Sequence, residues 1–557
     1  MLQRHAILLH TSLKCKRSNF ANIATTFAAA SAETIATVVE NLKTGNFSKP
    51  ANPEERQVMQ LMKELNFITA NVPGSTASRV TMRNEIRGML VEKGVPSFYV
   101  TINPADVYNP VVKFLAGDEI DVDKLLPEHV PNYHDQSILV SCNPFVATQF
   151  FDLYMRAFVK AILGYDSDIG KTSGGILGHV KSYYGCVKAQ GRGTLHCHML
   201  VWVEGGLNPN EIKAKVLAND DVFKTWLVQF LEDTIVTDIP PPPNPSQSVP
   251  SSTFHPCSVR GSQVDGTDAE YTSCREQDMH NLVKSGEPKI CRFDMDPGNT
   301  TPISTFDVDT GELNLRCVNG MVNNFNPTII EALRCNMDLK FIGSGASPKA
   351  ILYYITDYIT KSPLKTHVAY ATLEAALKQV DKLVSTDEPS TTRAKRMLQR
   401  CAYALVNQQE LSAQQISSYL MEYGDHYTSH EFANLYWPSF ERYVQRHDNT
   451  TDSVAPEEPN SGEDDDLYEQ ESNPDLESYD HEEEEAVDPV SAEDEEITLT
   501  LDQTLGNLVQ TCSQVDNYLY RADALTNVCL WDFIHQLEKT KRRKLSRRSD
   551  NERAKQE

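Results

Sequence analysis

The chain has 557 residues, enough for two to four domains with sizeable cores, and contains no run of eighteen apolar residues, so no helical membrane span is expected. Its net charge of −25 speaks against a uniformly basic nucleic-acid binder, but residues 451–500 hold 21 Asp or Glu and no Lys or Arg, and without that block the rest carries only about −4. Local basic patches would then have to meet phosphates. Twelve cysteines lie without a disulfide-like rhythm, which fits a reducing, intracellular setting.

Residues 1–72 read as a helical region, with candidates at Ala21–Leu42 and Glu54–Leu65. The first 32 residues lack acids and carry Arg4, Lys14, Lys16 and Arg17, a pattern that can mimic a mitochondrial presequence. Pro73-Gly74-Ser75 is a turn. Arg79, Arg83 and Arg87 follow, and they read equally well as phosphate contacts or as solvated helix charges. Ser97–Asn103 alternates Phe98, Val100 and Ile102 on one side, the pattern of a strand in a central sheet, and Pro104 ends it. Leu139–Pro144 reads as a short strand or loop, and Phe145–Leu163 as a helix.

Gly170-Lys171-Thr172 imitates a phosphate-binding loop. Tyr165 stands where the first glycine of that pattern belongs, and Ser173-Gly174-Gly175 does not begin a helix, so ATP binding is rejected.

The stretch Gln190–Val203 organises the chain. Leu200–Val203 is an apolar strand, and His196 and His198, two apart, leave a strand from the same face. Two converging imidazoles can hold a metal ion, although such a pair alone is more often structural. Asn210–Asp233 reads as helical. A four-proline run at Pro240–Pro243 opens an insertion, 239–296, with His255, Cys257, Cys274, His280 and Cys291. Ser347-Pro348 is a helix start for Ser347–Lys361. There Ile351, Ile355 and Ile359 make an apolar stripe, Tyr354 and Tyr358 share the neighbouring face, and Lys361 falls near that face.

Residues 366–447 read as a helical region in which Met397, Cys401, Ala404 and Leu405 form one stripe, Ser412 caps the next helix, and Trp437 packs the bundle. Residues 448–500 are an acidic linker expected to be disordered. The last segment, 501–557, carries a helical piece at Tyr520–Leu537 and the basic cluster Lys541-Arg542-Arg543-Lys544, which reads as a nuclear address, a DNA contact or a solvated end.

The His-x-His and Tyr-x-x-x-Tyr pairs together resemble the Rep endonuclease part of Helitron transposases, a branch of the HUH nucleases. Gly94–Pro104, Gly178–Gly185 and Ala189–Gly193 resemble further motifs of that family, and the likeness runs from about residue 10 to about residue 447, resuming at Tyr520–Phe533. The resemblance implies an α+β fold with a Rep-type antiparallel central sheet over residues 73–365. It implies a nuclease that nicks and rejoins single-stranded DNA through a 5′-phosphotyrosine, with Tyr354 and Tyr358 as nucleophiles and Lys361 stabilising the phosphate or leaving group. It implies Mg²⁺ or Mn²⁺ on His196 and His198, with Gln190 at the family's third-ligand position. Arg192 and Lys181 are candidate phosphate contacts. The Cys/His insertion is shorter than in family relatives and the paired ligands are missing, which weighs against an intact structural zinc. No helicase motor follows, so unwinding would come from another chain or a longer transcript. Lys188 stands where the family carries Glu, and Asp357 where it tends to carry Lys. These departures support the alternative of an inactive relic that binds DNA without turnover. A zinc hydrolase built on the His pair is the weakest reading, since no acid/base carboxylate is evident beside it.

Overall fold

The computed structural model describes residues 1–16, 20–21, 24–25, 31–44, 50, 52–104, 106, 109–118, 133–189, 193–238, 298–307, 310–343, 356, 360, 364–382, 389–435, 437, 440–441, 443–444, 499–501, 508–510 and 514–537. The insertion, the acidic linker and the Lys541–Lys544 cluster lie outside these residues.

The fold is α+β, with a five-stranded antiparallel sheet at its centre. Strand β1 is Phe98–Pro104, β2 is Val180–Ala189, β3 is Leu195–Val203, β4 is Cys335–Phe341 and β5 is His426–Thr428. Their order is β4-β1-β3-β2-β5, so the strand that bears both histidines is central. The register sets Thr101 opposite His198 on one side, and Cys186 and Lys188 opposite His198 and His196 on the other. The Phe98–Val100–Ile102 alternation is realised, and β1 lies beside the histidine strand as expected.

Period-2 alternation divides the sheet into two faces. Leu195, Cys197, Met199 and Val201 share one face with Val100, Ile102, Met337 and Leu339. Helix Pro144–Ala157 covers it with Phe150, Phe151, Tyr154 and Met155, and a π-turn continues that helix through Ile162. Leu200 and Trp202 face the other way with Tyr99 and Tyr184, under Met82, Ile86 and Met89 of helix Thr76–Lys93. That helix starts on the Ser75 hydroxyl, which accepts from the Ser78 N–H. Tight packing of β2 on β3 depends on Gly185, where an added Cβ would lie 2.8 Å from Cys197 Sγ and 2.9 Å from Met199 Cε.

A second core joins helices from the first 69 residues to helices between 366 and 407. Helices Leu2–Cys15, Ala32–Lys43 and Pro53–Thr69 pack with Thr366–Asp381 and Ser390–Asn407, around Ile35, Leu61, Leu65, Leu373, Met397, Leu398 and Cys401. It contains a buried ion pair, Lys14 to Glu64 at 2.5 Å. The next helix, Ala413–Leu420, opens with the Ser412 cap and a reciprocal Gln415 bond. It docks on the sheet's cover helix through Thr148 Oγ1, which donates to the Gln414 carbonyl, and leads into β5.

Three local expectations change. Leu139–Cys142 is the end of a helix, Tyr133–Cys142, because Gln136 and Val140, four apart, are both buried. Asn210–Asp233 is two helices, Pro209–Leu217 and Asp221–Thr234, parted at Asn219, whose φ is +58°. Trp437 is 53% exposed and gives its indole N–H to Glu441 instead of packing the bundle.

Candidate metal centre

His196 and His198 leave β3 on the face covered by helix Thr76–Lys93, and both are buried. Their Nε2 atoms point at each other across 3.1 Å, with the rings at 86°. Two nitrogens each about 2.1 Å from one cation, at a right angle, would stand about 3.0 Å apart. The pair therefore fits two adjacent corners of a metal's coordination shell. Burial, followed by the nearby Lys188 ammonium, pushes His196 down to about 4, against a weak opposing pull from the Lys188 backbone. Burial, then His196, then Lys188 push His198 down to about 3. Both rings are thus neutral at pH 7, the state in which imidazole is a ligand. Among the described residues no group of three or more His, Cys, Asp or Glu comes together that could hold a metal.

The strands flanking β3 add a polar layer. His198 Nδ1 lies 2.8 Å from the Tyr99 hydroxyl and 3.0 Å from the Thr101 hydroxyl, and the Tyr99 and His198 rings stack at 6°. Beyond Thr101, Asp338 of β4 occupies the same row, paired with Lys340 at 3.4 Å, and burial raises its carboxyl. On the other side the row continues through Cys186 to His426 of β5. His426 Nδ1 meets Asp425 at 3.0 Å, and its ring stacks on Tyr184, whose hydroxyl donates to Glu85 Oε2 at 2.5 Å.

The predicted site residues divide sharply. His196 and His198 are brought together. Lys188 directly faces His196 across the β2–β3 ladder. Lys181 is exposed at an irregularity near the opposite end of β2, four to five residues of strand or about 15 Å from His198. Gln190, Arg192, Tyr354, Asp357, Tyr358 and Lys361 lie outside the described residues. Within the Ser347–Lys361 stretch, Thr356 and Thr360 are helical and buried. The Thr360 hydroxyl donates to the Thr356 carbonyl at 2.6 Å and accepts from Arg83 Nε at 3.1 Å. Arg83 is only 7% exposed, so the reading of it as a solvated helix charge is set aside.

Sequence reasoning missed Tyr99 and Thr101. The signal was there, since residues alternating with Phe98, Val100 and Ile102 must face the other way, onto the side of the His pair. Asp425 and His426 gave no such signal, because β5 is three residues long and follows a run of helices.

Comparison with known families places this geometry. Residues 1–201 match the Helitron helicase-like domain at the N-terminus. Over that span the chain is similar to the Helitron helicase-like domain. The matched span begins before the first helix, includes β1 and β2, and ends at Val201 within β3, so it takes in both histidines. The sheet is completed by β4 and β5, which come from beyond the match. No curated protein matches the chain.

Proposed function

We propose that this Helitron helicase-like protein is a metal-dependent tyrosine nuclease that nicks and rejoins single-stranded DNA in rolling-circle transposition. The observation that carries the reading is the buried, neutral His196–His198 pair, with its Nε2 atoms converging at 3.1 Å on the central strand of an antiparallel sheet. His196 and His198 would hold Mg²⁺ or Mn²⁺, with Gln190 as third ligand. The bound cation would polarise a non-bridging oxygen of the scissile phosphate. The phenol oxygen of Tyr354 or Tyr358 attacks phosphorus, the bond to the 3′-oxygen breaks, and a 5′-phosphotyrosine forms beside a free 3′-hydroxyl. The phosphoester energy is kept in the new bond, so a second strand's 3′-hydroxyl can reverse the step. Two tyrosines permit two such links at once. Lys361 would stabilise the phosphate or leaving oxygen, and Arg192 and Lys181 would contact flanking phosphates. Arg83, on the helix that covers the His face, donates to the hydroxyl of Thr360, two residues after Tyr358 in the sequence. Single-stranded DNA would be the partner, with unwinding by a helicase from another chain or a longer transcript, and Lys541–Lys544 would direct the protein to the nucleus.

One observation favours a second reading, a relic that binds DNA without turnover. Lys188 faces His196 in the ladder and puts a positive charge beside the place a cation would occupy. Single-stranded DNA labelled at either end, incubated with Mn²⁺, separates the two. A covalent adduct on the 3′-side fragment, lost in Tyr354→Phe/Tyr358→Phe and in His196→Ala, supports the nuclease. Binding by folded protein without any adduct supports the relic.

A further inference from the structure

At 3.1 Å the two Nε2 atoms of the cation-free pair are within hydrogen-bond distance, so one of them carries a hydrogen and the other a lone pair. Which is which is decided at the far sides of the rings. His196 Nδ1 is buried and makes no well-formed hydrogen bond, the Lys188 backbone exerting only a weak pull on the ring. His198 Nδ1 faces two hydroxyls, Tyr99 at 2.8 Å and Thr101 at 3.0 Å. Both come from β1, where Thr101 is directly opposite His198. The Tyr99 and His198 rings lie near-parallel at 6°, with centroids 5.8 Å apart, so the hydroxyl meets the imidazole at its Nδ1 edge.

We infer that Tyr99 and Thr101 are positioning residues that accept the Nδ1–H of His198, fixing its tautomer so that the Nε2 lone pair is presented toward His196 before any cation arrives. The bridging hydrogen of the cation-free pair then belongs to His196 Nε2. His198 is a preformed ligand, and His196 is the member that must rearrange. Metal-ligating imidazoles are commonly held this way by an acceptor on the second ring nitrogen. Here the acceptors are neutral hydroxyls, which orient the ring without adding charge to it. Each residue has a near-isosteric replacement that keeps the strand and its packing: Tyr99→Phe and Thr101→Val.

This inference rests on the nuclease reading only for the use to which the lone pair is put, and its test separates the two. Nitrogen-15 correlation spectra of the metal-free full-length protein, assigned with His196→Ala and His198→Ala, report the tautomer of each ring directly. The wild type is expected to show His198 protonated at Nδ1 and His196 at Nε2. The Tyr99→Phe/Thr101→Val double variant is expected to lose the His198 preference and to bind Mn²⁺ about 10- to 100-fold more weakly. Wild-type His198 protonated at Nε2 would overturn the inference, as would a double variant that keeps both tautomer and Mn²⁺ affinity. If the wild type shows the expected tautomers, the double variant loses them and neither takes up Mn²⁺, the positioning role stands and the nuclease reading falls.

Discussion

The two faces of the central sheet are built from the same five strands and bury different things. Under helix Pro144–Ala157, the Met199–Val201 face is closed by aromatic and aliphatic side chains. Under helix Thr76–Lys93, the opposite face mixes a small apolar cluster with a polar row: Asp338, Thr101, His198, Cys186 and His426. Buried polar groups are costly unless bonded, so a sheet gains nothing in stability from such a row beyond what apolar residues would supply. On the proposed nuclease reading, the first face holds the fold and the second carries the chemistry. Substitutions on the two faces should therefore have opposite signatures.

The largest expected effect is on activity from the polar face. On the proposed nuclease reading, His196→Ala and His198→Ala each remove a proposed metal ligand and should reduce strand cleavage by at least about a thousandfold, equivalent to about 4 kcal/mol. The denaturant midpoint of His196→Ala should stay near that of the wild type, because its Nδ1 is poorly bonded, whereas His198→Ala also removes the ring that the Tyr99 and Thr101 hydroxyls bond and should shift modestly further. A large midpoint shift in both variants would dissolve the distinction between the faces.

The apolar face should show the reverse. Phe151→Ala opens a cavity against Tyr427 and the sheet and should cost about 3–5 kcal/mol in urea unfolding. Adduct yield per folded molecule should be unchanged. The helical core offers a parallel case: Lys14→Met removes the cation paired with the buried Glu64 carboxylate, leaving it the Gln60 amide, and should cost about 3 kcal/mol. Adding Glu64→Leu should restore most of that loss. If the double variant is no more stable than the single, the ion pair is not the source of the loss.

A smaller effect would sharpen the comparison from within the polar face. Lys188 lowers the proton affinity of both histidines, and the same charge opposes a cation on their Nε2 atoms. Lys188→Glu should raise Mn²⁺ affinity about tenfold, or about 1.4 kcal/mol, in calorimetric titration. An unchanged affinity would show that the Lys188 ammonium is directed away from the pair, and it would remove the main support for the relic reading.

Much of this was readable in the residues, for reasons that differ by element. β1 and β3 announce themselves by alternation and by an apolar run, and the His196–His198 spacing fixes their common face. The same alternation placed Tyr99 and Thr101 on that face, and only attention to the apolar half concealed it. β4 was not assigned from the sequence, although Cys335, Met337 and Leu339 alternate and prove to be buried on one side. β5 was not legible, because three residues carry too little pattern and their place is set by pairing with Tyr184–Cys186, some 240 positions earlier. Nor could periodicity show that helices from residues 2–69 share a core with helices from 366–407, since an amphipathic stripe names no partner.

The smallest predicted effect tests whether the polar row extends to β5. Burial opposes the charged form of His426, but its bond to Asp425 and the charges of Asp425 and Glu85 outweigh that and raise it, with Arg79 opposing. Burial likewise opposes ionised Asp425, yet the His426 bond, Arg79, His426's charge and the Tyr419 hydroxyl hold it low. A raised histidine stabilises the fold fully below its unfolded value of about 6.5, and the benefit is lost as pH rises through the folded value. A lowered aspartate stabilises above about 3.9, and its benefit is lost as pH falls through the folded value. The pair therefore supports the fold most between about pH 4 and pH 6.5. Glu85, raised chiefly by burial, adds stability at the acid side of that range and loses it as pH rises, the same sign as His426. Between pH 6 and pH 9 the wild type should lose slightly more stability than His426→Gln, by less than about 1 kcal/mol because the site is partly open to solvent. Parallel urea curves for the two proteins across that range would show that the His426–Asp425 pair contributes nothing, and that the polar row ends at His198.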